Sequence, residues 1–112
     1  MDSLFVSKWQ SQVKKGTLSF IILNILKRKQ FYGYELIDQV KKITKIEMAE
    51  GTIYPLMNRL EKQGLISSKW VEKDSGVPRK YCELTNAGKQ SLEEMNLYWE
   101  QLAFSITILQ NK

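Results

Sequence analysis

A mainly α-helical fold with one small β-hairpin is what this sequence predicts, and three observations carry the prediction. Apolar residues recur at helical spacing in four separate stretches. Strand-like composition is confined to residues 66–84, on either side of the turn-forming string KDSGVP. The chain is 112 residues long with only two prolines, Pro55 and Pro78, and no internal repeat, so it has the size of one compact domain.

Each element has its own signal. Leu18, Ile21, Ile22, Ile25 and Leu26 fall at i, i+3, i+4, i+7 and i+8, the stripe of a helix that ends in the cationic run Lys27, Arg28, Lys29. Upstream, Phe5, Trp9 and Val13 continue helical spacing over a stretch with no core of its own, so residues 1–13 read as a helical extension. Gly33 marks a turn into a second, shorter helix that starts near Tyr34 and places Leu36, Ile37, Val40 and, less regularly, Ile43 on one face. Ile53, Leu56, Met57 and Leu60 repeat the stripe, and Gly64 stands where a left-handed residue would close a third helix over about 51–63. Extended segments at 66–72 and 79–84 form the hairpin. Finally Leu92, Met95, Trp99, Leu102, Ile106 and Leu109 step by three and four, a heptad seam rather than a broad core face, on a helix that Thr85 or Asn86 can cap.

Helix, helix, helix, hairpin, helix is the order of a winged helix-turn-helix with an appended C-terminal helix. The expected organisation is an extension at 1–13, a winged unit at 14–88 and a pairing helix at 89–112. Winged helices also serve as protein-interaction modules, so a function has to rest on the exposed residues.

Composition removes several function classes. With no histidine and one cysteine, Cys82, the chain can form no internal disulfide, assemble none of the usual zinc ligand sets and use no histidine base. No nucleophile stands beside a recognisable base, and AGKQS lacks the upstream glycine spacing of a phosphate loop, so an enzyme is not expected and neither is a cofactor. The longest apolar run, nine residues interrupted by Ser19 and Asn24, is too short to span a membrane, and the first ten residues lack a cationic leader start. A soluble cytoplasmic protein is expected. Net charge is +5, and its distribution is uneven: residues 1–89 hold 16 Lys/Arg against 9 Asp/Glu, whereas residues 90–112 hold 1 against 3. A polyanion suits the body of the chain; the tail has another task.

If the third helix reads DNA, its N-terminal turns enter the major groove and need short polar groups. Glu50, Gly51, Thr52, Tyr54, Asn58 and Arg59 fit: small residues allow close approach, hydroxyls reach phosphate or base, and Asn58 and Arg59 can make bidentate base contacts. Pro55 is tolerated in the first turns, where a missing N–H costs little, and the helix should begin close to Gly51 or Thr52. The hairpin adds Lys69, Lys73, Arg79 and Lys80, a basic wing over about 67–84 that can follow a phosphate backbone. A merely solvated polar face and a charged edge strand that blocks aggregation are the bland alternatives for these two features.

The stretches KGTLSFIILNILKRKQFYGYEL, EGTIYPLMNRLEKQGLI and RKYCELTNAG, together covering roughly residues 14–90, resemble the three signature blocks of PadR-type transcriptional regulators, in order and at matching separations. That resemblance implies a dimeric repressor that binds double-stranded DNA at a palindromic promoter operator and releases it in response to a small molecule or changed conditions. It assigns Tyr34, Thr52, Tyr54 and Pro55 to DNA-facing turns, Asn58 and Arg59 to the recognition helix, and Arg79 and Lys80 to the wing. Cys82 departs from the pattern, replacing a usual second aromatic after RKY. The single C-terminal helix resembles the compact branch of the family, whose drug-sensing members use an aromatic cavity between subunits.

The tail seam, nearly free of positive charge, is best used for pairing with a second copy of itself, with Phe5 and Trp9 of the extension against it; packing within one chain is the alternative. An interfacial membrane helix is a poor fit to an extension so short and so weakly cationic. Trp99, flanked by Met95, Tyr98 and Phe104, is large for a tight seam and could line a gap for a small aromatic effector, although an aromatic at helical spacing is more often core.

Overall fold

A computed structural model describes residues 3–72 and 76–111. Helix α1 (Ser3–Arg28) leads into a two-residue strand, β1 (Phe31–Tyr32). Helices α2 (Gly33–Thr44) and α3 (Glu50–Lys62) follow, then the strands β2 (Ile66–Val71) and β3 (Arg79–Leu84), and α4 (Asn86–Gln110) ends the chain. The expected winged helix-turn-helix with a C-terminal helix is present, with one addition: β1 pairs antiparallel with β3, Phe31 opposite Cys82 and Tyr32 opposite Tyr81, so the sheet has three strands in the order β1-β3-β2. The hairpin itself sets Ile66 opposite Leu84, Ser68 opposite Cys82 and Trp70 opposite Lys80.

Local chemistry explains where the helices start and stop. The Glu35 carboxylate accepts the Tyr32 N–H at 3.1 Å, tying the first turn of α2 to the strand before it. Lys45 in the left-handed region, φ 65°, ends α2, and its N–H reaches the Lys41 carbonyl. At the end of α3 the Gly64 N–H bonds the Glu61 carbonyl and the Leu65 N–H bonds the Leu60 carbonyl, each at 3.0 Å. That paired closure requires a left-handed residue, which Gly64 supplies at φ 77°. Thr85 caps α4 as expected, its Oγ1 accepting from the Gly88 N–H and donating to the Gly64 carbonyl. Gly88 lies against the Leu65 carbonyl so closely that a Cβ there would strike it. The root of α4 is thus locked to the junction between α3 and β2.

The core gathers Ile22, Leu23, Ile25 and Leu26 from α1, Leu36 and Val40 from α2, and Ile53, Leu56, Met57 and Leu60 from α3, with Phe31, Ile66, Cys82 and Leu84 from the sheet and Leu92 from α4. Helix α1 runs through its middle, against α2, β3 and α4, which is why Leu23, off the expected stripe, is also buried. Two expectations change. Ile43 is exposed, because the last turn of α2 runs past the edge of the core. Leu92, placed on the pairing seam by its spacing, is 1% exposed within its own subunit and is a core residue with no surface to offer a partner.

Leu18, Phe20 and Ile21 of α1 and Met95 of α4, the last expected on the pairing seam, pack partly buried against this core, while apolar residues toward the helix ends are exposed. Leu4, Phe5, Val6, Trp9 and Val13 in the first half of α1, and Trp99, Leu102, Ile106 and Leu109 in the second half of α4, are all exposed. These two half-helices stretch the subunit to 56 × 32 × 23 Å. Among the described residues no helix is long and apolar enough to cross a membrane.

Candidate nucleic-acid interface

The buried stripe of α3 leaves the opposite side to solvent, and Gly51, Thr52, Tyr54, Pro55, Asn58 and Arg59 are all exposed there. The helix begins at Glu50, one residue before the expected start, so Pro55 is its sixth residue. At that position proline removes the N–H that would bond the Gly51 carbonyl. Gly51 is exposed, and solvent can satisfy that carbonyl at little cost.

Tyr54 is held in place from below. A Cβ on Gly33 would lie 2.7 Å from the Tyr54 ring, so the ring of α3 rests on the first residue of α2, and only glycine leaves room for it. Beside it the exposed Tyr34 hydroxyl bonds the Glu50 carboxylate, and that acceptor holds the phenol above its ordinary pKa. The negative charge that opens α3 is thereby partnered by a hydroxyl.

The wing contributes two cations in different states. The Arg79 guanidinium stacks 4.4 Å from the centre of the Tyr32 ring, which meets the Tyr81 ring edge-on at 5.3 Å. Stacking fixes the direction of the guanidinium while leaving its N–H fork free to donate. Lys80 instead lies 3.7 Å from the Glu61 carboxylate, which also accepts the Ser68 hydroxyl at 2.9 Å. Its charge is already partly neutralised, so of the two Arg79 is the better phosphate ligand. Lys73 lies outside the described residues. Cys82 is buried beneath this sheet, 3.6 Å from the Ser68 hydroxyl, and burial pushes its thiol pKa up.

Two hollows flank α3. One of about 410 Å³ lies between its N-terminal half and the wing, bounded by Tyr32, Gly33, Tyr34, Tyr54, Trp70 and the segment from Val77 to Lys80. The other, about 350 Å³, lies against α1, where Lys15, Leu18 and Ser19 face Thr52, Pro55 and Arg59. Lys15 and Trp70 escaped the sequence reading, since only the folded chain brings α1 and the wing beside the third helix. Lys62, exposed at the end of α3, was legible there as a further cation.

A third hollow, about 410 Å³, separates α1 from α4 and is lined by Gly16, Thr17, Phe20, Glu94, Met95, Tyr98, Trp99 and Leu102. The Phe20 and Trp99 rings meet across it at 5.5 Å, tilted by 44°. Just below, Asn96 donates to Asn24 at 3.1 Å and fixes the register of the two helices. Met95, Tyr98 and Trp99 are therefore brought together; Phe20 and Thr17 complete the lining from a helix that sequence alone could not place there.

The sequence model of the transcriptional regulator PadR-like family matches residues 22–94. The chain is similar to a PadR-like transcriptional regulator from Bacillus cereus strain ATCC 14579, at 34% identity, 90% of this chain and 98% of that one, with a TM-score of 0.83. It is also similar to a PadR family transcriptional regulator from Eggerthella lenta DSM 2243, at 36% identity, 94% and 91% coverage, and a TM-score of 0.81. Among curated proteins it is 38% identical over 81 residues to the transcriptional regulator YqjI of Escherichia coli strain K12, covering 70% of this chain and 37% of that protein.

Proposed function

The chain belongs to the PadR-like family of transcriptional regulators, and on that premise we propose that it is a homodimeric repressor whose two winged heads read a palindromic operator. In this reading residues 14–88 are the head, residues 1–13 an arm and residues 89–112 the tail that pairs with a second copy. The protein acts by binding and not by turnover.

The observation that carries the reading is the pairing of two unlike surfaces on one subunit. One is polar and cationic: the free side of α3 with Thr52, Tyr54, Asn58 and Arg59, continued by Arg79 and Lys80 on the wing. The other is apolar and lies at the far ends of α1 and α4, where Trp9, Trp99, Leu102, Ile106 and Leu109 face solvent. The first suits phosphate and base edges; the second costs free energy until a partner covers it. Phe5 belongs with the second surface and Leu92 does not.

The hollow between α1 and α4 supports the further reading that a small planar aromatic effector releases the operator. Its site would be Trp99, Tyr98 and Met95, joined by Phe20, at the place where the tail leaves the head. An effector bound there changes DNA affinity only through different affinities for the DNA-competent and incompetent dimer geometries. Trp99→Leu, which keeps an apolar seam residue and removes the flat face, should abolish ligand quenching of tryptophan fluorescence and ligand-driven operator release together.

DNA binding is tested by gel retardation of a labelled duplex taken from upstream of the protein's own gene, at low salt, beside a scrambled duplex of equal length. Retardation of the upstream duplex at lower protein concentration, weakened about tenfold or more by Tyr54→Ala, is expected. No retardation of either duplex would favour the alternative, a winged-helix protein-interaction module.

A further inference from the structure

Trp70 is 70% exposed although it stands in a paired strand, directly opposite Lys80. Alternation along β2 puts it on the same side as Ile66 and Ser68. Ile66 enters the core, while Ser68 and Lys80 both reach Glu61 of α3, so this side of the wing faces the recognition helix. Trp70 extends that side beyond the core and lines the hollow together with Tyr54. The hollow is bounded by the flat or apolar Tyr54, Trp70 and Pro78 and by two cations, Lys80 on the Trp70 side of the sheet and Arg79, stacked on Tyr32, on the other.

A chain that alternates anionic groups with apolar faces fits such walls, and a nucleic-acid strand is one: each phosphate is followed by a deoxyribose whose C–H face is apolar. Resting on the DNA-binding reading above, we propose that this hollow seats one backbone strand of the duplex, with a deoxyribose against the Trp70 indole and the flanking phosphates on Arg79 and Lys80. Continuity supports it, because Tyr54 belongs both to the hollow and to the exposed side of α3. The contact positions the head on DNA without reading sequence, as sugar and phosphate contacts do, and it adds an apolar share of affinity that salt does not screen.

That last property gives the test. Binding of a labelled scrambled duplex is titrated by fluorescence anisotropy over a series of salt concentrations for the parent, Trp70→Ala, Trp70→Phe and Arg79→Ala. Trp70→Ala should weaken binding about tenfold at every salt concentration with an unchanged slope of log affinity against log salt, and Trp70→Phe should recover most of the loss. Arg79→Ala should instead lower the slope by about one. Acrylamide quenching of tryptophan emission should show DNA-dependent shielding in the parent that Trp70→Phe lacks, which reads the contact directly even if Trp70→Ala folds poorly. Unchanged affinity of Trp70→Ala beside a weakened Arg79→Ala would overturn this proposal and leave DNA binding standing. A reduced slope for Trp70→Ala would also overturn it, since the indole would then act by holding the cations. So would shielding of Trp70 by a polyglutamate peptide and not by duplex. A parent protein that binds no duplex at low salt overturns both readings.

Discussion

Leu92 and Leu102 lie on the same stripe of α4, ten residues apart, yet one is 1% exposed and the other 40%. The same contrast divides α1: Ile22, Leu23, Ile25 and Leu26 are buried, and Phe5, Trp9 and Val13 are not. Periodicity therefore identifies the side of a helix that avoids water without saying what covers it. In the head the cover is the subunit's own α2, α3 and sheet. At the ends of α1 and α4 much of the apolar surface stays exposed, and a second copy is the economical answer for a seam that carries so little charge.

Substitution at the buried end should give the largest effect. Leu92→Ala is expected to cost about 2–5 kcal/mol of unfolding free energy, since it leaves a cavity in the core beneath the first turns of α4, measured by denaturant titration at a fixed protein concentration. A loss below about 1 kcal/mol would place Leu92 with the exposed half and erase the contrast. Next comes Gly88→Ala, expected to cost about 1–3 kcal/mol. The new Cβ meets the backbone carbonyl of Leu65, which cannot rotate away as a side chain could. Gly33→Ala is the instructive opposite. There the Cβ meets the far end of the Tyr54 ring, and the ring can swing out over solvent. Melting temperature should change little, by a shift worth about 1 kcal/mol or less, while affinity for the upstream duplex falls about as far as in Tyr54→Ala. Equal destabilisation by both alanines would mean that Tyr54 belongs to the core and not to the contact surface.

The sequence was most informative where a signal is local. The stripes of α1 and α3, the left-handed Gly64 and the Thr85 cap depend on neighbours a few residues away and were legible. What was missed depends on partners far along the chain. Strand β1 is only Phe31 and Tyr32, too short for any alternation to show, and exists because β3 offers a free edge. Leu23 is buried because α1 has neighbours on more than one side. Lys80 reads as a free cation until folding brings Glu61 within 3.7 Å. Tyr54 was legible as a residue on the free side of the third helix, but its seat on Gly33 was not, since that contact joins two helices. The hollow beside Trp99 was expected between two subunits, whereas its first walls, Phe20 and Thr17, come from the same subunit.

The most direct test of the account is sedimentation velocity of the parent and Leu102→Glu, each alone and with the upstream duplex. Two heads held by one tail seam bind two half-sites with the effective concentration that tethering provides, and a lone head loses it. A buried charge at Leu102 should split the dimer while leaving the head folded, because that residue touches the tail's exposed side and not the core. The parent is expected to be a dimer that sediments with the duplex as one species, and Leu102→Glu a folded monomer whose affinity is lower by about a hundredfold or more. A Leu102→Glu protein that stays dimeric and binds the duplex as the parent does would contradict it, and the uncovered halves of α1 and α4 would need another partner.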